Sequence, residues 1–434
     1  MSKDKVAPRY AAKCGWNALL PRRTPREQAP NERRFYAIVV GAGYTGLGAA
    51  RRLAELMPEK EILVLESSEI GEGSSARNSG FLSVNPVQPR ANSHGSADDD
   101  AIRKVRIVVA GLDWLRTIVK ENNIDCDWDE KAPRVTAAAT PEGEILARRT
   151  KNSLERWTIK CAEHDAGDLE QLLGTNYYLY GYEPLTRALV QPAALIRGIA
   201  DTLPANVTLL EKTPVEAVSG SGPFHVQTRR GDFSADKVFI ANNAHARALG
   251  FVTNRMIGVY TYGALTPVLD DDELARFGKL PAWGVIPKSK AGTTMRKVQR
   301  RFLIRSSASY ERETDPQKVR SILTQLFRNR YPKMHSYEFE HVWGGLTAIT
   351  SNGENYFGEL KPGLYASVGC QGAGVCRAMI HGKLLAEFAC GSQSSLLADR
   401  LTLEAPNWIP PEPFRGIGAL TRMSYMRWRA GRDY

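Results

Sequence analysis

The continuous apolar run Tyr36-Ala-Ile-Val-Val40 predicts a buried strand, and it delivers the chain directly into the glycine-rich turn Gly41-Ala-Gly-Tyr-Thr-Gly46. Beyond the turn, Leu47, Ala50, Leu53, Ala54 and Met57 fall on one helical face, and Pro58 sits near the end of that helix. The run Glu61-Ile-Leu-Val-Leu-Glu66 then predicts a second strand that ends in an acid. Further on, Ile102, Val105, Val109, Leu112 and Trp114/Leu115 predict a core-facing helix from about Ala101 to Glu121. A strand at Val135–Ala138 precedes a helical stretch from Glu142 to Leu173, and Pro192 suits the start of a helix running to Leu203. Val207–Glu211, Phe224–Thr228 and Lys237–Ala241 read as strands, the last as a buried parallel one. Alternation over Val259–Leu265 and Phe302–Ser306 predicts an antiparallel sheet, with a helix at Pro316–Asn329.

Strand, glycine turn, helix, strand and terminal acid together predict a dinucleotide site in a Rossmann-like α/β unit. Gly41 allows the sharp turn, Gly43 leaves the backbone open to a pyrophosphate, and Gly46 lets helix and strand approach closely. Tyr44 and Thr45 open the helix, whose N-terminus offers unpaired N–H groups and the positive end of its dipole to the phosphates. Glu66, twenty residues beyond Gly46, takes the place of a ribose-binding carboxylate, with Ser67 beside it. Asn242 and Asn243, ending the strand Lys237–Ala241, form a loop over the nucleotide.

Three separated motifs sharpen this picture. Gly71-Glu-Gly-Ser-Ser-Ala-Arg-Asn-Ser-Gly-Phe81 follows the second strand; His341-Val-Trp-Gly-Gly345, Thr350, Gly358 and Pro362-Gly-Leu-Tyr365 come far downstream; Gly369-Cys-Gln-Gly-Ala-Gly-Val375 then leads into His381-Gly-Lys-Leu-Leu-Ala-Glu387. In this order they resemble the FAD-dependent amine and amino-acid oxidoreductases of the D-amino-acid oxidase superfamily, and most closely the subgroup that contains gamma-glutamylputrescine oxidase. The resemblance implies a Rossmann-like FAD-binding domain (35–85, 188–250 and 343–392) interleaved with an α+β substrate domain built on an antiparallel sheet (86–187 and 251–342). A basic N-terminal arm (1–34) and a basic C-terminal tail (393–434) flank them. It adds Ser75, Arg77, Asn78, Ser79 and Gly80 as flavin-loop contacts, Val215 at the adenine, and Gly369, Gln371, Gly372, Gly374 and Val375 around a helix N-terminus aimed at the flavin pyrimidine. Relatives often carry His at the position of Ala373, and some attach flavin through a Cys near Leu346–Thr350; no cysteine lies there, so FAD is expected to be noncovalent. Cys370, on the flavin loop, reads as a small buried thiol.

The resemblance further implies oxidation of a small amine or amino acid at the carbon bearing nitrogen. Hydride passes to flavin N5, and the resulting imine hydrolyses. The catalytic candidates are Arg77, Arg296, Tyr260 and Trp343. Arg77 lies near the flavin, with an ion pair or bonds to loop carbonyls as its alternative role. Arg296 matches the family's carboxylate- or substrate-contacting strand. Tyr260 alternates with Thr261 and Tyr262 on a pocket strand, where a core role is equally open, and Trp343 either closes the site or packs. Reoxidation uses oxygen or another acceptor; Arg301-Phe-Leu-Ile-Arg305 offers arginines where some oxidases place a lysine, so slow reaction with oxygen is expected, with Lys297 the nearest competing lysine.

Composition changes the picture little. At 434 residues and 43% hydrophobic, the chain suits two domains. No apolar run approaches the roughly 20 residues of a membrane helix and no signal peptide opens the chain, so a soluble cytoplasmic protein is expected. Six scattered cysteines form no Cys-x-x-Cys pair, and seven histidines show no ligand spacing, so no metal site is expected. Residues 1–34 carry nine Lys/Arg against three acids and residues 412–434 five Arg against two, which leaves the body only slightly basic despite a net charge of +11. That distribution argues against a nucleic-acid groove. The densest internal cluster, Arg296-Lys-Val-Gln-Arg-Arg301 with Arg305, reads as a solvated hairpin turn between Thr293 and Phe302, with substrate-anion or nucleic-acid contact as its alternatives. Two other classes stay open: a superfamily member acting on an aminomethyl group of tRNA, and a flavoprotein assembly component docking on a membrane or partner through its basic tails.

Overall fold

The structure, a computed structural model, describes residues 6–84, 97–334, 338–372 and 374–434. The irregular segment expected over Val84–His94 lies, beyond Val84, outside the described residues, as does Ala373.

The fold is mixed α/β, organised around two large sheets. The first runs in the order Tyr356–Lys361, Leu364–Val368, Phe233–Ile240, Arg34–Val40, Ile62–Leu65 and Val207–Leu210, with the strands Val215–Gly220 and Phe224–Thr228 attached through Phe233–Ile240. Its centre is parallel: Val39 pairs with Phe239 on one side and Val64 on the other. Strands buried on both faces must be apolar throughout, and Ile62–Leu65 is buried at every residue. Helices Tyr44–Leu56 and Val375–Ala389 cross at backbone contact. A Cβ on Gly382 would lie 2.0 Å from the Thr45 carbonyl oxygen, and one on Gly48 2.5 Å from that of Met379.

The second sheet runs His341–Ile349, Ile257–Leu265, Arg301–Tyr310, Thr294–Val298, Trp283–Pro287, Arg134–Ala138, Tyr180–Pro184 and Cys161–His164. It is antiparallel except where Trp283–Pro287 runs alongside Arg134–Ala138. Helix Pro316–Arg330 covers one face through an aromatic core in which Phe277 and Phe302 stack at 4.5 Å and Phe327 and Tyr331 close the cluster.

Three expectations differ from what is observed. The helical stretch Glu142–Leu173 is two helices, Pro141–Arg156 and Ala166–Leu173, separated by the strand Cys161–His164. Thr158 turns the chain at φ +68, and Asp165 starts the second helix through a capping box with Asp168. The boundary drawn at 343 falls inside the strand His341–Ile349, which pairs residue by residue with Ile257–Leu265, so the chain returns to the first sheet only at Tyr356. The basic cluster is not a solvated turn: only Gln299 and Arg300 turn, at φ +46 and +59, while Arg296 and Lys297 are buried within the strand.

The N-terminal arm is built into the body. Trp16 is fully buried and donates its indole N–H to the Asn78 carbonyl at 2.7 Å; Arg23 bonds Glu211 and Asp201, and Arg230 bonds Glu27. Arg26 and Arg34 of the arm are likewise paired, with Asp201 and Asp236. The C-terminal tail folds as the helices Ser395–Thr402 and Phe414–Ala430.

Candidate active site

A cleft of about 1490 Å³, counted to its open mouth, reaches from the glycine turn of the first sheet to the strands Arg301–Tyr310 and His341–Ile349 of the second.

The nucleotide end follows from the turn. Gly41 takes φ +100, and a Cβ on Gly46 would lie 1.8 Å from the Gly41 carbonyl oxygen, so that helix and turn sit closer than any side chain permits. On Gly43 a Cβ would meet only Ser75 Oγ, at 2.9 Å; this position keeps the cleft open rather than the fold tight. Glu66 is held in place by its own loop. One carboxylate oxygen accepts the Ala42 N–H at 2.9 Å, and the other accepts the Ser68 N–H at 3.0 Å and the hydroxyls of Ser67 and Ser68. Val215 and Asn242 line the same end, and Asn242 Oδ1 is buried with no partner among the described residues.

Two helices point their N-termini into the cleft, Tyr44 and Thr45 opening one and Gly374 and Val375 the other. Neither has a side-chain cap or an acid in its first turn. Their free N–H groups and dipoles are therefore available to negative groups of a ligand. Asn243 ties the second helix's loop in place, its side-chain oxygen accepting the N–H groups of Gly369 at 3.0 Å and Cys370 at 3.2 Å. His381, about two turns along, is pushed well below its ordinary pKa by burial and by Arg400 and Arg377, and is neutral. The group that fits this chain of features is an extended dinucleotide with anionic phosphates and a polar ring.

Of the residues expected at the cofactor, Gly41, Gly43, Tyr44, Thr45, Glu66 and Ser67 line the cleft at one end, as do Ser75, Arg77, Asn78, Gly369, Gly372 and Gly374 farther along. Gly46, Ser79, Gly80 and Gln371 do not; they shape the wall from behind. Gln371 donates to Thr350 Oγ1 at 2.6 Å, and the carbonyls of Ser79 and Gly80 accept from Arg296.

The four catalytic candidates are placed differently. Arg77 lines the cleft, yet its guanidinium is consumed by the carbonyls of Glu72, Ala12 and Gly344, by the Glu72 carboxylate, and by the Tyr10 ring 3.7 Å away. Arg296 does not line it. Burial pushes its pKa down to about 10, and it donates to the carbonyls of Ser79 at 3.0 Å and Val190 at 2.6 Å with Trp16 alongside. Tyr260 packs edge-on against Tyr10, and Trp343 is buried against Gly15 and Gly263; neither lines the cleft. Lys297 is turned away, donating to the carbonyls of Leu274 and Gly278.

Sequence reasoning counted Arg305 with the basic cluster, for which substrate-anion contact was an alternative, but did not name it among the catalytic candidates. It lines the cleft beside Thr347 and Cys370, donates to Thr261 Oγ1, and has no carboxylate paired with it among the described residues. Burial lowers its pKa to about 10, so it stays charged near neutrality. The period-two signal was available: Phe302 and Ile304 enter the aromatic core, which leaves Arg305 on the opposite face.

A family model described as FAD dependent oxidoreductase (DAO) matches residues 37–388, most of the chain. The chain belongs to this family. The family is FAD-dependent. The protein is 26% identical over 400 residues to gamma-glutamylputrescine oxidoreductase of Escherichia coli, covering 87% of each chain. It is 24% identical over 406 residues to the probable oxidoreductase OrdL of Rhizobium meliloti, covering 91% of each. Glycine oxidase from Geobacillus kaustophilus has the same fold, with a TM-score of 0.69 at 20% identity, covering 84% of this chain and 96% of that one. Among the described residues no helix is long and apolar enough to cross a membrane.

Proposed function

We propose that this FAD-dependent oxidoreductase oxidises a small amine or amino acid that carries a carboxylate. The observation behind the reading is Arg305, a half-buried cation facing the cleft without a carboxylate partner among the described residues. A buried charge is costly unless an opposite charge meets it, and a guanidinium is matched bidentately by a carboxylate. Glycine oxidase and gamma-glutamylputrescine oxidoreductase, whose names specify amino-acid and amine substrates, support this class.

FAD, when bound, accepts hydride at N5 from the carbon bearing nitrogen. The glycine turn, Glu66 and the two helix N-termini hold the cofactor; Arg305 orients the substrate through its carboxylate; and Thr347 and Cys370, whose Oγ1 and Sγ lie 3.1 Å apart, complete the wall beside it. Bound FAD would be reoxidised by oxygen or another acceptor, and slow reaction with oxygen is expected because Lys297 points away and the cleft-lining cation here, Arg305, is an arginine.

Anaerobic mixing of the FAD-loaded protein with a panel of amines and amino acids tests this. Carboxylate-bearing members should bleach the flavin, and Arg305→Met should raise the concentration needed by roughly tenfold or more, as loss of a charge-assisted bond requires. A panel in which nothing reduces the flavin would overturn the reading; equal reduction by wild type and Arg305→Met would remove Arg305 from it.

A further inference from the structure

The helix Phe414–Ala430 begins beyond the family match, which ends at 388. Gly416, Ala419, Met423, Met426 and Ala430 recur at three- and four-residue spacing and turn toward the body. On the other side Phe414, Ile417, Leu420, Tyr425 and Trp428 are 68%, 61%, 53%, 52% and 77% exposed. At 3.6 residues per turn, Phe414, Ile417, Tyr425 and Trp428 form one stripe about 80° wide, with Leu420 about 60° beyond it. Trp408, just before the helix, is 59% exposed as well. A soluble surface scatters such residues singly, whereas here they are gathered on one element. The helix carries four arginines and no acid, and Arg422 and Arg429 flank the stripe, both exposed.

The helix is fixed at both ends. Arg415 bonds the Thr253 carbonyl, and Tyr310 bonds Glu412 at the entry. At the far end the Asp433 carboxylate accepts the Ala139 N–H at 2.7 Å, and Arg330 donates to the carbonyls of Asp433 and Tyr434. The apolar stripe is therefore held outward on the substrate-sheet side rather than free to fold back.

We propose that this helix docks the protein on an anionic membrane surface, lying in the plane of the interface with Phe414, Ile417 and Trp428 inserted and Arg422 and Arg429 at the headgroups. A stripe of Trp, Tyr, Phe and Leu beside arginines suits the boundary between headgroups and acyl chains, where aromatic rings partition and anionic lipids attract guanidinium groups. A second copy of the chain would bring the same acid-free, arginine-bearing helix against its equal, so charge complementarity favours the lipid.

The test is cosedimentation of the FAD-loaded full chain with vesicles of phosphatidylcholine alone or with a third phosphatidylglycerol. Wild type should pellet with the anionic vesicles and stay in solution with the neutral ones. Arg422→Gln with Arg429→Gln should weaken binding roughly 25-fold, about fivefold for each basic residue. The triple variant Phe414→Ser, Ile417→Ser, Trp428→Ser should remain in solution with both, while its flavin content and melting temperature match wild type. Wild type that pellets with neither, that pellets equally with both, or whose binding survives the triple substitution overturns the proposal. So does a wild-type dimer, seen by sedimentation velocity without vesicles, that the triple variant abolishes.

Discussion

Gly43 and Gly46 lie three residues apart in one turn, and their replacement by alanine should fail in opposite ways. A Cβ on Gly46 would lie 1.8 Å from the Gly41 carbonyl oxygen and 3.2 Å from a Val39 methyl, both fixed in the central strand and its turn. The first distance is more than an ångström short of contact and the neighbour is backbone, so the helix must move off the sheet. Overpacking of this kind costs about 3 kcal/mol or more, a few degrees of melting temperature in a chain this long. Gly43 sits at φ −77 and ψ −178, open to any residue, and its Cβ would meet only the rotatable Ser75 hydroxyl. Gly43→Ala should melt with wild type in the absence of FAD. Its methyl projects into the cleft, however, where a pyrophosphate crosses the backbone, and FAD should bind about 1–3 kcal/mol more weakly, roughly 5- to 150-fold in Kd. Flavin-fluorescence titration of the apoprotein, with thermal unfolding of the apo and FAD-bound forms, separates the two. Wild-type FAD affinity in Gly43→Ala, or a wild-type melting temperature in Gly46→Ala, would refute the assignment.

Arg296→Met should lower the melting temperature and FAD occupancy together, since the carbonyls of Ser79, Gly80 and Val190 lose their donor, while the fraction that retains flavin keeps a wild-type KM. A raised KM at full flavin content would instead place Arg296 at the substrate. Lys288, donating to Thr150, is pushed down to about 8 by burial and by Lys290. The folded chain thus binds fewer protons than the unfolded chain between about pH 8 and 10.5, stability rises with pH across that window, and the cost of the buried charge is full below it. Lys288→Met should accordingly gain about 1–3 kcal/mol at pH 7 and progressively less toward pH 10.5, read from urea midpoints; a gain that grows with pH would contradict this. Acid precipitation should release the flavin into the supernatant. The structure makes this a sharper test than the sequence did, because Cys370 lies on the cleft wall against Thr347, and colour in the pellet would identify it as an attachment point.

The nucleotide half of the site was legible because its determinants are local. Gly41 to Gly46 define a turn and a helix start in six consecutive residues, and Glu66 ends the adjacent parallel strand, so one βαβ unit carries them all. The substrate half depends on which face of a strand each residue meets, and that depends on where the hairpin turns. With the turn spread over Thr293–Phe302 the faces of Arg296 and Lys297 cannot be assigned; with it confined to Gln299 and Arg300, Lys297 points to the side opposite the cleft that Arg305 faces. No glycine marks that turn, and none marks Thr158, where the long helical stretch breaks. The outward stripe of the last helix also went unread, because its apolar residues occupy both faces and give no single amphipathic signal.

The two arginines that sequence reasoning placed nearest the chemistry show why a buried cation near a cofactor is ambiguous. The segment from Gly71 to Gly80 is irregular and largely enclosed, so its carbonyls have no ladder to join and require donors from elsewhere. Arg77 reaches across to the arm and to the second sheet through Ala12 and Gly344, and Arg296 gathers Ser79, Gly80 and Val190. Each therefore spends its fork of donors on backbone, and a guanidinium so occupied has little left for a ligand. Arg305 differs in the one respect that matters: a single threonine hydroxyl accepts from it, and the rest of its charge faces the cleft. Whether an arginine staples a loop or holds a substrate is decided by how many of its donors the fold leaves unspent, a property of three-dimensional packing that residue type and spacing do not carry.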